Sequence, residues 1–457
     1  MPSFRQTTFA ALLAIGLPAL MPAGLDGADD PPKPQLTERV AAKLAPLKDL
    51  VDTNDYAGVL RLVEGLIPGS EPGSFDRALL SQIHGQVLLN LKRNNDAIAP
   101  LELSLELGDR HAYFDTEATL NTLHTLSQIY FEKAYDGKDP AERRRCYDLA
   151  YARIKRWLAL TPKPTSDAQL YAATILYSSA ILDAGHPDLD KIRRAKADAE
   201  ASLLLRDQPD EQALVLIVAA QQQLGQLRES ADILESLAAR KPSSAIYWQQ
   251  LFATYSGLAA EPGHPPGEIR RFHLRALLTL ERARAHGFLS TPQDYFNTIA
   301  LHSALGQHAR AARLLEQGLA DGTVASNRRN WELLSSAWQQ QRAPARAIEA
   351  LARAAAALPG DGEIEYSLAR LCYAEDKTAE AYAHLRAAVE RGQLTQPGQT
   401  WFFLTYIAYE LRLFEEAACY AETAATHPDV SREDITRLAQ AIQDALAEKN
   451  APAGTST

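Results

Sequence analysis

The sequence predicts an all-α protein, a right-handed α-solenoid of about ten helical hairpins closed by a C-terminal capping helix. Three observations predict it. After residue 36, apolar residues recur at spacings of three and four, and no long alternating strand pattern interrupts them. Small residues mark a repeat: Ser230, Ala276, Ala311, Ala347, Ala381 and Ala417 follow one another at steps of 46, 35, 36, 34 and 36. Turn residues punctuate these helices at matching points, with Gly225 and Gly306 five residues ahead of Ser230 and Ala311. The 457 residues would suggest roughly three domains by length alone. The repeat replaces them with one array from roughly residue 36 to 430, leaving no stretch for a separate catalytic domain.

The N-terminus is of another kind. Residues 1–28 carry Arg5 followed by an apolar run from Phe9 to Leu20, broken only by Gly16 and Pro18. The run is too short to span about 30 Å of hydrocarbon as a helix. It fits the core of a secretory signal peptide. Residues 29–35 (DDPPKPQ) form a stiff, Pro-rich linker. The expectation is a periplasmic chain whose mature form does not span a membrane.

Residues 36–242 hold divergent hairpins. Ala97 with Leu101, Ala150 with Ile154 and Trp157, and Ala197 with Leu204 read as second helices. Pro162 and Pro209 follow two of them as stops. Tyr56 to Leu66 reads as a still earlier second helix. Longer turns at 136–142 and 185–191 interrupt the period.

Residues 243–430 hold the clearer array. In NWELLSSAWQQQRAPARAIEALARAAAALP, Trp331, Leu334, Ser335, Trp338, Ala347, Leu351, Ala354 and Pro359 take positions 4, 7, 8, 11, 20, 24, 27 and 32 of a 34-residue tetratricopeptide (TPR) hairpin. Large side chains at 4, 7, 11 and 24 fill the space within and between hairpins. Positions 8, 20 and 27 sit where helices cross closely, so small side chains are needed. Trp401, Leu404, Ala417 and Ala424 repeat the pattern, as do Ala381, Leu385 and Ala388. The 46-residue step carries an insertion, Ala260 to Gly267. Residues 431–449 form a last amphipathic helix, opened by Ser431 and Asp434 in capping-box spacing, that covers the final hairpin. Residues 450–457 read as a disordered tail.

No catalytic constellation is legible. HExxH, P-loop, GxSxG and paired CxxC patterns are absent, and the eleven His, His302 among them, are scattered and read as surface or turn residues. No metal or cofactor is expected, and the chain reads as a non-enzyme. The net charge of -10 argues against nucleic acid. Among three cysteines, Cys146 follows Arg143, Arg144 and Arg145, and a nearby cation lowers a thiol pKa. An enzyme or small-ligand binder using Cys146 or the groove is therefore the third reading. A Cys372–Cys419 disulfide stays open. Two basic helices (Arg143 to Arg156, Arg270 to Arg284) are solvated faces or anion-binding faces.

Without chemistry, the working surface is the groove on the solenoid's concave inner wall, which the first helices line at positions 2, 5, 9, 12 and 13 of each hairpin, positions that packing leaves free. These hold Glu332, Ser336, Gln339 and Gln340, then Tyr366, Arg370 and Tyr373, then Phe402, Tyr406, Tyr409 and Glu410. Tyrosines offer an apolar face and a hydroxyl at little entropy cost, which suits protein segments. The other reading is that these rings pack on the capping helix or on each other. The Lys/Asn/Arg carboxylate clamp of eukaryotic chaperone-tail TPR grooves is missing.

Three segments carry a narrower likeness: Ala383 to Leu394 (AHLRAAVERGQL), Pro397 to Leu404 (PGQTWFFL) and Ala311 to Leu319 (AARLLEQGL). With their flanks they resemble the bacterial periplasmic TPR proteins that accompany TonB–ExbB–ExbD systems. The resemblance implies a scaffold assisting TonB-dependent outer-membrane transport, with TonB, ExbB or ExbD as partners. A scaffold for outer-membrane or polysaccharide-export assembly is the alternative.

Overall fold

The computed structural model describes residues 34–450. The expected signal peptide, residues 29–33 of the linker and residues 451–457 lie outside the described residues. The chain divides into two compact units between Ile233 and Leu234. The division lies upstream of the 242/243 boundary read from the sequence.

The first unit contains α1 (Glu38–Leu44), α2 (Leu47–Asp52), α3 (Tyr56–Leu66), α4 (Phe75–Asn90), α5 (Asn94–His111), α6 (Thr116–Asp136), α7 (Pro140–Leu160), α8 (Ser166–Ala180), α9 (Leu189–Leu203) and α10 (Glu211–Gln223). Helix α11 (Leu227–Arg240) carries the division. The second unit continues with α12 (Ala245–Ala260), α13 (Pro266–Ala285), α14 (Pro292–Ala304), α15 (His308–Asp321), α16 (Arg328–Gln340) and α17 (Pro344–Ala357). It ends with α18 (Gly362–Ala374), α19 (Thr378–Arg391), α20 (Pro397–Glu410), α21 (Phe414–Ala425) and α22 (Arg432–Asn450). Within each unit helices pack mainly on their sequence neighbours, so each unit is a run of TPR-like hairpins of α-solenoid type. Strands are absent among the described residues. None of the described helices is long and apolar enough to cross a membrane.

One turn recurs and identifies the repeat. Asn54, Lys92, Gly225, Gly306, Arg342, Asp376 and Arg412 all have φ between +53° and +74°. In each case the amide of the next residue donates to the carbonyl five residues back, from Asp55 to Leu50 through Leu413 to Ala408, at 2.8–3.0 Å. This is the Schellman closure of a first helix. All seven residues stand five places before a buried residue: Val59, Ala97, Ser230, Ala311, Ala347, Ala381 and Ala417. The turn therefore extends the repeat to α2/α3 and α4/α5, where the sequence pattern is weakest.

The small positions behave as close packing demands. Ser335, Ala369 and Thr405 are buried at position 8, and Ala354, Ala388 and Ala424 at position 27. Gly85 takes position 8 of α4, where an added Cβ would stand 2.4 Å from Leu101 Cγ. Gly318 takes position 27 of α15, where a Cβ would stand 2.5 Å from Val324 Cγ2. Each buried Leu between them, such as Leu334, Leu368 and Leu385, contributes about 1.5–3 kcal/mol of apolar burial. Helix starts are fixed by side-chain caps at Asp55, Ser74, Asp115, Thr165, Asp210, Asn327 and Asp361, and by a full capping box of Thr291 with Asp294. The inserted loop is tied down by His264, 3.2 Å from Glu261 and 3.3 Å from Glu268.

Two sequence expectations are corrected here. In α9 the inward face is Ile192, Ala195, Ala199 and Ser202, whereas Ala197 is exposed and Leu204 is 87% exposed beyond the helix end. The longer turn ahead of α9 shifts its register, so counting back from Pro209 misplaces the face. His302, expected at the surface or in a turn, is buried at position 11 of α14, with Nδ1 2.6 Å from Gln307 Oε1.

Candidate functional site

The candidate residues all lie in the second unit, on the first helices α16, α18 and α20. The structure brings some of them together. Tyr373 and Tyr406 stand edge to face with ring centroids 6.3 Å apart. Phe403 links them to Tyr366, with centroids 5.5 Å from Tyr373 and 6.4 Å from Tyr366. Both contacts are edge-on, the arrangement in which the positive rim of one ring meets the negative face of another. Arg370 lays its guanidinium 5.8 Å from the centroid of Tyr366. Glu410 closes the other end, with Oε1 accepting from Tyr406 at 2.8 Å and from Tyr373 at 3.1 Å. Hydrogen bonding with Tyr406, burial and the bond to Glu410 hold the Tyr373 hydroxyl well above the ordinary phenol pKa. The phenol therefore stays a donor across the physiological range. Tyr406 remains 37% exposed.

Phe402 and Tyr409 lie elsewhere. Both pack against the cluster of Ala417, Ala421, Val430, Ile435 and Ile442, to which α22 contributes Ile435 and Ile442. Tyr409 also stands 5.7 Å from Phe414. Both are half-buried, and this packing matches the reading in which the rings of the last hairpin lie on the side of the capping helix. Phe403 is the ring that reasoning from open positions missed, because position 6 is nominally between the ridge and the packing face. Three successive large rings, Trp401 to Phe403, were the available signal, since three adjacent residues span nearly a full helical turn.

Helix α16 supplies a polar continuation. Ser336 and Gln339 are exposed, and Gln339 donates to Ser335 Oγ at 3.3 Å. Glu332 is half-buried, and burial raises its carboxyl pKa against the opposing effect of Arg328. Asp361 and Glu363 on the next hairpin raise it further, while Arg328 grips Asp361 with two bonds of 2.7 Å. Glu332 thus faces a paired charge.

The thiol chemistry read for Cys146 loses its geometric basis. Cys146 is buried, and burial pushes its thiol pKa up, outweighing Lys133 and Arg145. The expected lowering by neighbouring cations is corrected on that ground. Cys372 and Cys419 are free, one buried and one exposed. The basic helices are largely neutralised: Arg153 pairs with Glu102 at 2.5 Å, Lys155 with Asp198 at 3.2 Å, and Arg156 with Asp109. In the second unit Arg275 and Arg282 share Glu235 at 3.6 and 2.8 Å. No group of acidic, His or Cys side chains suited to a metal ion occurs among the described residues.

No family model and no curated protein matches this chain. Among solved structures, a tetratricopeptide repeat protein from Parabacteroides merdae is 11% identical, covering 62% of this chain and 98% of its own, at a TM-score of 0.30. MamA from Desulfovibrio magneticus is 16% identical, covering 39% and 92%, at a TM-score of 0.28. A thermophilic TPR protein from Thermus thermophilus is 19% identical, covering 46% and 100%, at a TM-score of 0.24.

Proposed function

We propose that this protein is a non-catalytic scaffold that holds an extended protein segment across the first-helix ridge of α18 and α20. The observation that carries this reading is the edge-to-face set Tyr366, Phe403, Tyr373 and Tyr406, bounded by Arg370 and Glu410 and partly open to solvent. Pre-set aromatic rings lose little entropy on binding and dominate protein interfaces. An arginine at one end and a carboxylate at the other would orient a segment by its charges or its backbone amides. Ser336 and Gln339 extend the ridge with groups that hydrogen-bond a passing main chain.

The setting we propose is the bacterial periplasm, in association with a TonB–ExbB–ExbD apparatus. The 1–28 leader pattern supports export, and the likeness of Ala311–Leu319, Ala383–Leu394 and Pro397–Leu404 supports the association. Cross-linking the mature protein in intact envelope tests this setting. The expected adducts contain a transducer or receptor component. Adducts made only of outer-membrane or polysaccharide-export assembly proteins would replace this setting with the alternative one. Replacing Tyr366, Tyr373 and Tyr406 together with Ala tests the ridge: capture falls about a hundredfold or more if these rings are the hot spot. Unchanged capture by a variant with wild-type circular dichroism would remove the ridge from the account.

A further inference from the structure

The second unit holds a pocket that the aromatic ridge does not use. It is open, measures about 490 Å³, and is lined by His302, Gln307, Ala309, Arg310, Arg313 and Gln341 together with Gly306. It forms at the turn between α14 and α15, against the end of α16. Position 11 of the other second-unit hairpins is Tyr255, Trp338, Cys372 or Ala408; here it is His302, 6% exposed, whose polar ring lines the opening. Gln307 turns its carbonyl oxygen onto His302 Nδ1 and leaves α15 without a side-chain cap.

The charge of this lining is one-sided. It contains two arginines, two amides and a histidine, and no carboxylate. Neither Arg310 nor Arg313 enters an ion pair among the described residues, in contrast to Arg282, Arg328 and Arg391 of the same unit. Arg310 and Arg313 stand three apart on α15, so their side chains share a face. The amides of His308 and Ala309 open the same helix, where backbone N–H groups and the helix dipole favour negative charge.

We propose that this pocket binds the oxyanion group of a small molecule, a phosphate or a carboxylate, in the forks of Arg310 and Arg313. Guanidinium groups match both oxyanions with paired N–H donors. Gln341 and the first amides of α15 complete the donor set, and His302, fixed through Nδ1, walls the inner side. The opening leaves room for the rest of the molecule to extend into solvent. In a chain of net charge -10, such a local cluster selects anions at short range only, because the field of the whole molecule repels them.

The test is calorimetric titration of the full chain with inorganic phosphate and, separately, with acetate, at ionic strength fixed by sodium chloride. The wild type is expected to bind one or both saturably, near about 1 mM. Arg310→Ala with Arg313→Ala weakens that binding about tenfold or more. Phosphate alone assigns a phosphoryl group, acetate alone a carboxylate, and both the shared oxyanion. Should the double alanine variant misfold, Arg310→Lys with Arg313→Lys keeps both charges, removes the forks and still weakens binding. Absence of saturable binding of either anion to the wild type, or undiminished binding in the folded double variant, overturns the proposal.

Discussion

At the scale of residues, burial decides which groups can react. Cys146 and Cys372 are buried and their thiol pKa values raised, while Cys419 is exposed. Iodoacetamide at neutral pH should therefore label one cysteine in the native protein, Cys419, and all three in denaturant, as read by mass spectrometry. Rapid native labelling of Cys146 would contradict this. Packing also decides which small residues are obligatory. A Cβ at position 85 meets Leu101, so Gly85→Ala should cost about 1–3 kcal/mol in thermal unfolding, despite the better helix propensity of Ala. Residue roles were legible in the sequence wherever the repeat fixed the register. Ala347, Ala381 and Ala417 are all buried as their positions require. They were not legible where a longer turn moved the register, as at Ala197, and at Phe402 and Tyr409 the sequence left two readings open, exposed ring or cover by the capping helix.

At the scale of elements, the first-helix turn is the unit of repetition. Glycine satisfies its left-handed residue at Gly225 and Gly306, and Arg342, Asp376 and Arg412 hold the same conformation against a steric cost of about 1–2 kcal/mol each. Replacing Arg342 or Arg412 with Gly should thus stabilise by up to about 1 kcal/mol, after the entropy that glycine adds to the unfolded chain. Gly306→Ala should destabilise by about 1 kcal/mol; chemical denaturation measures all three. Equal, destabilising effects of all three would deny that the turn is shared. The sequence shows this turn only where glycine marks it. Lys92 and Asn54 are not glycine, so at α2/α3 and α4/α5, whose second helices the sequence does suggest, the turn itself shows in backbone conformation.

At the scale of the molecule, hairpins within each unit bury their apolar faces on their neighbours, so the final one needs a cover. Helix α22 supplies it with Ile435, Leu438, Ile442 and Leu446 over α20 and α21. Truncation after Pro428 should expose that cluster, lower the unfolding temperature and cause self-association visible in size-exclusion chromatography. An unchanged melting curve would show that the helix is dispensable. The aromatic ridge of α18 and α20 is proposed to hold a protein segment. The most direct measurement of that claim is site-specific photo-cross-linking from position 373 on the aromatic ridge, compared with position 274, an exposed leucine of α13. The account predicts that a residue at 373 captures a discrete protein segment in the native envelope, that one at 274 does not, and that Tyr406→Ala reduces the first. Capture from 274 alone, or none from 373, would contradict it.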